Sequence, residues 1–472
     1  MTQPAAPESA PHVELTIGPV AHGGHFVSRH EGRVVFVRHG LPGERVRARL
    51  TEHDDGARFW RADVVDVLDA SSDRQDHVWD QADALVAARA SIHVAGGAEF
   101  GHIRLDAQRR LKAEVFAEHL ERGAGIDAAA LGFAGVEAVA REDELGRFWR
   151  TRMAFAVDAG GRLSMHPHRS DELVAVTSMP LASREIQRLS PWDVDFSGFA
   201  RVEIAAPAGG DEALVLLVPV EGQNDAAGVR RAARAVMAQL PLSASVAVLT
   251  QSGGSAADGR GALQRISGRT WLSESVELAS GDTHDYRVTG EGFWQIHRAA
   301  PATLTEAVLG IVAPEPGQAV ADLYAGAGLF TLPLAERVGA GGRVLSIEGA
   351  PGTSKDARRN LHEYRQALIA QGRVERTLRD QLQRLSGGRG TRELDAVVLD
   401  PPRAGAGKRA VELIAAAKPA KIAYVSCDPA SFARDTADLR RRGYELVAAR
   451  VFDLYPNTHH LETVGHFARV RP

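Results

Sequence analysis

The chain has 472 residues, 44% hydrophobic and 25% charged, the balance of an ordinary soluble globular protein long enough for two to four domains. No run approaches eighteen uninterrupted apolar residues, so no membrane span is expected, and a net charge of −4 confines any nucleic-acid surface to a local patch. A single cysteine, Cys427, excludes an internal disulfide and any cysteine-ligated zinc site or iron–sulfur cluster built by this chain alone; no metal is expected, and the expected compartment is the cytoplasm.

Residues 1–11, M-T-Q-P-A-A-P-E-S-A-P, have neither a basic start nor an apolar core and read as a short disordered tail rather than a signal peptide. Residues 12–70 read as a small β-barrel. The pieces V-E-L-T-I-G, G-R-V-V-F-V, E-R-V-R-A-R-L and F-W-R-A-D-V-V-D-V are short and β-branched, and turn signals such as H-G-G-H and H-D-D-G separate them. Arginines recur along it, but acids nearly balance them. On this pattern alone a generic barrel and an RNA-binding one stay equally open.

Residues 71–290 read as an α+β middle domain. Its first feature is an amphipathic helix over 105–122. Strands follow at R-M-A-F-A-V-D, E-A-L-V-L-L-V-P-V and S-V-A-V-L-T, with a helix over A-A-G-V-R-R-A-A-R-A-V-M-A-Q-L and Gly/Ala/Ser-rich joints at 206–211 and 252–262. The residue types here assign no chemistry.

From 291 to 472 near-continuous apolar strands alternate with helices. This predicts an α/β domain, a doubly wound parallel sheet covered on both faces. Ligands of such sheets lie beyond the carboxyl ends of the strands, where the chemistry-bearing residues fall. A-V-A-D-L-Y runs into A-G-A-G-L-F, where Gly326 and Gly328 permit a tight turn and close approach of a ligand. The next strand, R-V-L-S-I-E, ends in Glu348, 26 residues beyond Asp322, where an acid can accept both ribose hydroxyls of a nucleoside cofactor. The position that would complete G-x-G-x-x-G is Thr331. A dinucleotide needs that loop for its pyrophosphate and S-adenosylmethionine does not, which favours S-adenosylmethionine.

The strand L-D-A-V-V-L-D ends at Asp400, followed by Pro401 and Pro402, a rigid extended loop that also fits a plain strand-stopping turn. Arg403 stands where an exocyclic-nitrogen methylase would carry a stacking aromatic. K-I-A-Y-V-S delivers Cys427 at a strand end that opens into a helix. Alone such a cysteine reads as inert filler; beside a cofactor loop it reads as a nucleophile. F-D-L-Y-P-N-T-H-H-L-E places Asp453, His459, His460 and Glu462 before the last strand, as a solvated turn or as the source of a general base.

D-L-Y-A-G-A-G-L-F-T-L-P-L-A, L-D-P-P-R, Y-V-S-C-D-P-A-S-F-A-R-D and F-D-L-Y-P-N-T-H-H-L-E together resemble the ordered motifs of the RNA (uracil-5-)-methyltransferase family. G-F-W-Q-I-H, residues 292–297, is similar to the motif that opens that family's catalytic domain, and the barrel resembles a TRAM domain. The resemblance covers the barrel, the helix near 105–122 and all of 291–472. It implies S-adenosylmethionine as cofactor and a Rossmann-like methyltransferase domain. The implied partner is RNA, transfer or ribosomal, acted on by a monomer. Cys427 is implied as the nucleophile and Glu462 as the base. Gln295, Tyr324, Glu348 and Asp400 match cofactor positions, beside the loop glycines Gly326 and Gly328. The chain departs from the family in places. A-G-G-A, Ala95 to Ala98, stands where many members have C-G-G-C, and Met179 where a further cluster cysteine often lies, so no iron–sulfur cluster is expected. Ala325 follows D-L-Y where members often have cysteine, and Leu329 replaces an Asn or Thr. Two other readings remain: a cytosine-5 RNA methyltransferase, which often draws on a second cysteine, and an RNA-binding protein on a relic methyltransferase fold.

Overall fold

A computed structural model describes residues 10–140, 143–210, 212–222, 225–251, 261–385 and 393–470. Residues 1–9 of the expected tail, and most of the joint at 252–262, lie outside the described residues. The chain forms two compact units. The first takes Met1–Val115, Arg141–Thr270 and Tyr455–His459; the second takes Phe116–Ala140, Trp271–Leu454 and His460–Pro472.

In the first unit, strands His12–Thr16, Val20–Ala21, His25–His30, Arg33–Arg38, Arg45–Glu52 and Phe59–Asp69 make one barrel-like sheet. Period-2 alternation builds it: in Arg45–Glu52, Val46, Ala48 and Leu50 are buried while Arg45 and Arg47 face solvent. Two of the six strands were not expected. Val20–Ala21 is only two residues long, and H-F-V-S-R-H hides its inward pair, Phe26 and Ser28, among polar neighbours. Ala107, Leu111 and Val115, from the start to the middle of the helix Leu105–Ala124, join the barrel's apolar core. A second sheet of seven strands runs from Val174–Ala175 at one edge to Gly261–Ser267 at the other. Its parallel neighbours Ala213–Pro219 and Ala244–Gln251 are joined by the helix Ala226–Met237, which buries Val229, Ala233 and Val236 on one face.

The second unit is built on an eight-stranded sheet. Its seven strands after residue 318, numbered along the chain, lie in the order 3-2-1-4-5-7-6, and the short Val136–Glu137 pairs parallel with the edge strand Tyr444–Phe452. Every residue of the central strands Ala319–Leu323 and Ala396–Leu399 is buried, as expected for strands covered on both faces. The sheet is not wholly parallel: the last strand, Glu462–Arg469, is antiparallel to both of its neighbours. A hairpin, Trp271–Glu277 with Thr283–Thr289, also belongs here, so the boundary expected at 290 falls at 270. The reason is long-range bonding. Asp356 accepts from the Thr289 amide and hydroxyl at 2.8 and 2.7 Å, and Asn360 bonds the Arg287 backbone in both directions. Phe116 and Leu120, in the second half of the helix Leu105–Ala124, pack in this unit's core with Phe432.

Candidate active site

The first central strand ends at Leu323 and the chain turns at once. Tyr324 adopts a left-handed backbone (φ 61°), a strained conformation for an aromatic residue, and Gly326 (φ 57°) and Gly328 (φ 96°) complete the loop. The Tyr324 hydroxyl is buried and has no hydrogen-bond partner among the described residues. Glu348, at the end of the adjacent strand, anchors the loop: its carboxylate accepts from the amides of Gly326 (2.9 Å) and Ala350 (2.6 Å). A carboxylate has about four lone-pair sites, so two such bonds leave capacity for vicinal hydroxyls. A Cβ placed on Gly326 would meet nothing within 4 Å, so the loop backbone borders open space. An acid with spare acceptors, an unpartnered hydroxyl and an open glycine loop fit a nucleoside cofactor.

Thr331, which breaks the dinucleotide pattern, has its own task. It is fully buried, and its hydroxyl donates to Asp322 Oδ2 at 2.5 Å. Asp322 lies on the central strand, wholly buried; burial first, and then the nearby Asp400 and Glu348 charges, push its carboxyl up to about 7, against the Thr331 bond. Asp400 is likewise raised to about 7 by burial, opposed by Gln295, whose Nε2 donates to Oδ2 at 3.1 Å. Gln295 and Asp400 are 105 residues apart in sequence and meet here.

Cys427 follows the strand Lys421–Ser426, partly buried. That strand's antiparallel ladder with Glu462–Arg469 ends with Ser426 opposite Thr463, so one step further Cys427 comes opposite Glu462. Glu462 is 2% exposed. The consequence is electrostatic. Burial, then Glu462 and Asp400, push the Cys427 thiol from 9.0 up to about 12; Arg403 pulls the other way. Asp428 caps the next helix, accepting from the Ser431 amide at 2.7 Å with Pro429 at the first helical position. That helix seats Phe432 against Gly465, where a Cβ would come within 2.7 Å of the ring, so only glycine lets helix and last strand approach this closely.

The loops bearing Asp400 and Cys427 are tied together by Asp435, a residue to which the sequence reading gave no role. Its Oδ2 accepts from the Tyr424 hydroxyl (2.7 Å) and the amides of Ala406 (2.8 Å) and Gly407 (3.1 Å); its Oδ1 faces Arg434. Of the four residues expected in the loop before the last strand, Glu462 is the one beside Cys427. His460 accepts from Arg403 at 3.0 Å, and Asp453 is wholly buried. His459 belongs to the first unit, where its backbone amide and ring both bond Glu99. A solvated turn does not describe this segment, because Leu454, Asn457, Thr458 and Leu461 are all buried.

Residues 257–469 match the family model for tRNA (uracil-5-)-methyltransferases, and residues 12–65 match the TRAM domain. An RNA methyltransferase of Streptomyces avermitilis is 40% identical over 457 residues, covering 96% of this chain and 97% of the relative. The chain belongs to the RNA (uracil-5-)-methyltransferase family. A 23S rRNA (uracil(1939)-C(5))-methyltransferase from a Shewanella species is 27% identical, with 96% and 95% of the two chains covered. In fold, the chain is similar to a Pyrococcus abyssi tRNA (uracil-54, C5)-methyltransferase solved with S-adenosyl-L-homocysteine (TM-score 0.66, 20% identity, 96% and 99% covered). As an enzyme of this family it is an S-adenosylmethionine-dependent methyltransferase. At the places where many members carry cluster cysteines, Ala95, Ala98 and Met179 are buried at 3%, 1% and 0% exposure. No helix among the described residues is long and apolar enough to cross a membrane.

Proposed function

We propose that this enzyme methylates carbon 5 of a uridine in structured RNA through a covalent adduct on Cys427. The observation that carries this is the placement of the chain's one thiol opposite Glu462, at the strand ends where Asp400 and the Glu348-anchored loop also lie. Carbon 5 of uracil is too weak a nucleophile to take a methyl group unaided. Addition of Cys427 Sγ to carbon 6 converts the ring to an enolate whose carbon 5 attacks. S-adenosylmethionine, held by Tyr324, Gln295, Glu348, Asp400 and the Gly326–Gly328 loop, supplies the methyl group. Glu462 then takes the carbon 5 proton, the carbon 5–carbon 6 double bond re-forms, and the carbon 6–sulfur bond breaks with its electron pair on sulfur, so that Cys427 leaves as the thiolate. Because the resting thiol is held protonated, its proton must depart as attack begins, and Asp400 and Glu462 are the carboxylates whose charges it feels. A target uridine in folded RNA is flipped out to reach the site, as base-modifying enzymes do. The enzyme acts as a cytoplasmic monomer, with RNA-binding barrel and catalytic sheet on one chain.

The test is a trapping assay. The enzyme is incubated with S-adenosylmethionine and total RNA, transfer and ribosomal, from cells grown in 5-fluorouracil, and run on a denaturing gel. Fluorine at carbon 5 cannot leave as a proton, so a covalent enzyme–RNA band is expected, absent in Cys427→Ala. Sequencing the trapped RNA names the target. A band of equal strength in Cys427→Ala refutes the nucleophile; no band with intact cofactor binding refutes the reaction on these RNAs.

A further inference from the structure

The first unit holds a cavity of about 450 Å³ that the methylation chemistry does not use. Its walls include four barrel strands, the run 93–97 that includes the start of A-G-G-A, and the loop 166–170. We propose that this cavity takes one unstacked nucleotide of the RNA substrate, base and phosphate together, distinct from the uridine that is methylated. The proposal rests on the RNA-methylation reading for the source of that nucleotide, and goes beyond a general affinity of the barrel for RNA.

The first argument is His39. It lines the cavity, is 6% exposed, and neither ring nitrogen has a hydrogen-bond partner among the described residues. Buried polar groups are nearly always paired, so this imidazole is placed for a group that comes from outside. Burial and the adjacent Arg38 hold it neutral, its pKa lowered to about 3. A neutral imidazole offers one donor and one acceptor, the pairing that the edge of a nucleobase answers.

The second argument is a run of rings on the same wall. His168, His25 and Phe36 meet edge to face, with centroids 5.5 and 6.1 Å apart. His25, lowered to about 4 by burial and then by its neighbours' charges, stays neutral too. Flat uncharged rings beside a hydrogen-bonding imidazole are what an unstacked base requires.

The third argument is charge. Arg38 is committed to Asp63 through two bonds of 2.8 and 2.9 Å; the side chain of the half-buried Arg49 makes no hydrogen bond or ion pair among the described residues, and only its charge acts on Asp63. Its guanidinium donors are placed to meet a phosphate. A metal fits less well: among the described residues, no three ligand atoms within 4.8 Å of one another include His25, His39 or His168.

The test uses the full chain labelled with ¹⁵N-histidine, without S-adenosylmethionine. It is titrated in turn with the four nucleoside 5′-monophosphates, inorganic phosphate and Zn²⁺, and the imidazole signals are followed by NMR. The expected result is that at least one nucleotide shifts the His39, His25 and His168 signals and binds at least tenfold tighter than phosphate. Arg49→Ala should weaken that nucleotide at least tenfold, and His39→Phe should abolish its binding, with the urea midpoint and S-adenosylmethionine affinity of Arg49→Ala unchanged. No shift with any nucleotide overturns the proposal. So does phosphate binding as tightly as every nucleotide, which makes this an anion site, or Zn²⁺ alone perturbing all three histidines. Methyl transfer does not enter the measurement, so its failure leaves the reading of Cys427 standing, and a failed trapping assay leaves this cavity to be judged separately.

Discussion

Cys427 is the only thiol in the chain, so its protonation can be read directly by reaction with a disulfide reagent such as DTNB. Burial and the carboxylates of Glu462 and Asp400 push the thiol from 9.0 to about 12. Three pH units lower the thiolate fraction at neutral pH ~10³-fold. The more basic thiolate is a better nucleophile, and a Brønsted slope near 0.45 returns ~20-fold. The native protein at pH 7.5 should therefore react ~50-fold more slowly than the same chain in urea, before any steric shielding. Shielding is separated by the pH profile, because access alone cannot change its shape: the logarithm of the native rate should climb about one unit per pH unit up to pH 10 without levelling. Glu462→Gln removes a negative neighbour at almost constant volume, so its profile should shift to lower pH. Arg403→Ala removes a cation that favours the thiolate, so it should react more slowly although it opens space near the sulfur. A native profile that levels off at or below pH 9, or an Arg403→Ala variant that reacts faster, would refute the claim that burial and the neighbouring charges hold this thiol protonated at rest.

Glu348→Gln should weaken S-adenosylmethionine about tenfold, the loss of roughly 1.4 kcal/mol expected when charge-assisted hydrogen bonds become neutral ones; calorimetry with an unchanged affinity would remove Glu348 from the cofactor site. Asp322 is an acid whose folded pKa, about 7, lies above its ordinary 3.8, so the native state binds more protons between those values. Its contribution to stability is therefore complete at low pH and falls as pH rises from about 4 to about 7, by ~4 kcal/mol for three pH units. Asp322→Asn should make the decline in urea unfolding between pH 5 and pH 8 shallower, leaving the part that the similarly raised Asp400 contributes, and an identical decline in both proteins would count against it. Asp435→Ala leaves the Tyr424 hydroxyl and the Gly407 amide without their acceptor and the Ala406 amide with only the Tyr424 oxygen, and should cost roughly 3–5 kcal/mol in urea denaturation, with Asp435→Asn costing less; a loss under about 1 kcal/mol would show that the two loops are held by something else.

The residues readable in advance are those whose meaning is local. Cys427 is conspicuous because it is unique and ends an apolar run. Glu348 is found by counting from one strand end to the next, and Asp400 is marked by the prolines behind it. The residues that went unread take their meaning from what faces them across the fold. Thr331 was only a departure from a glycine pattern until its hydroxyl was seen on Asp322, and Asp435 looked like one more acid on a helix until it met Tyr424 and the Ala406–Gly407 amides. The same logic displaced the boundary at 290. The hairpin strand Thr283–Thr289 carries no sequence mark of its allegiance, because the groups that claim it, Asp356 and Asn360, lie about seventy residues later. The edge strand Ala367–Gln371 escaped notice for a related reason: none of its residues is fully buried, so hydrophobic patterning had little to register. His459 and His460 state the limit most sharply. Two identical side chains, adjacent in sequence, bond different acids and bases in different units, one with Glu99 and one with Arg403. Pattern identifies a histidine pair as capable of chemistry, but only the partners brought by the fold assign one ring to a structural contact and leave the other beside Arg403, a cation that acts on the thiol.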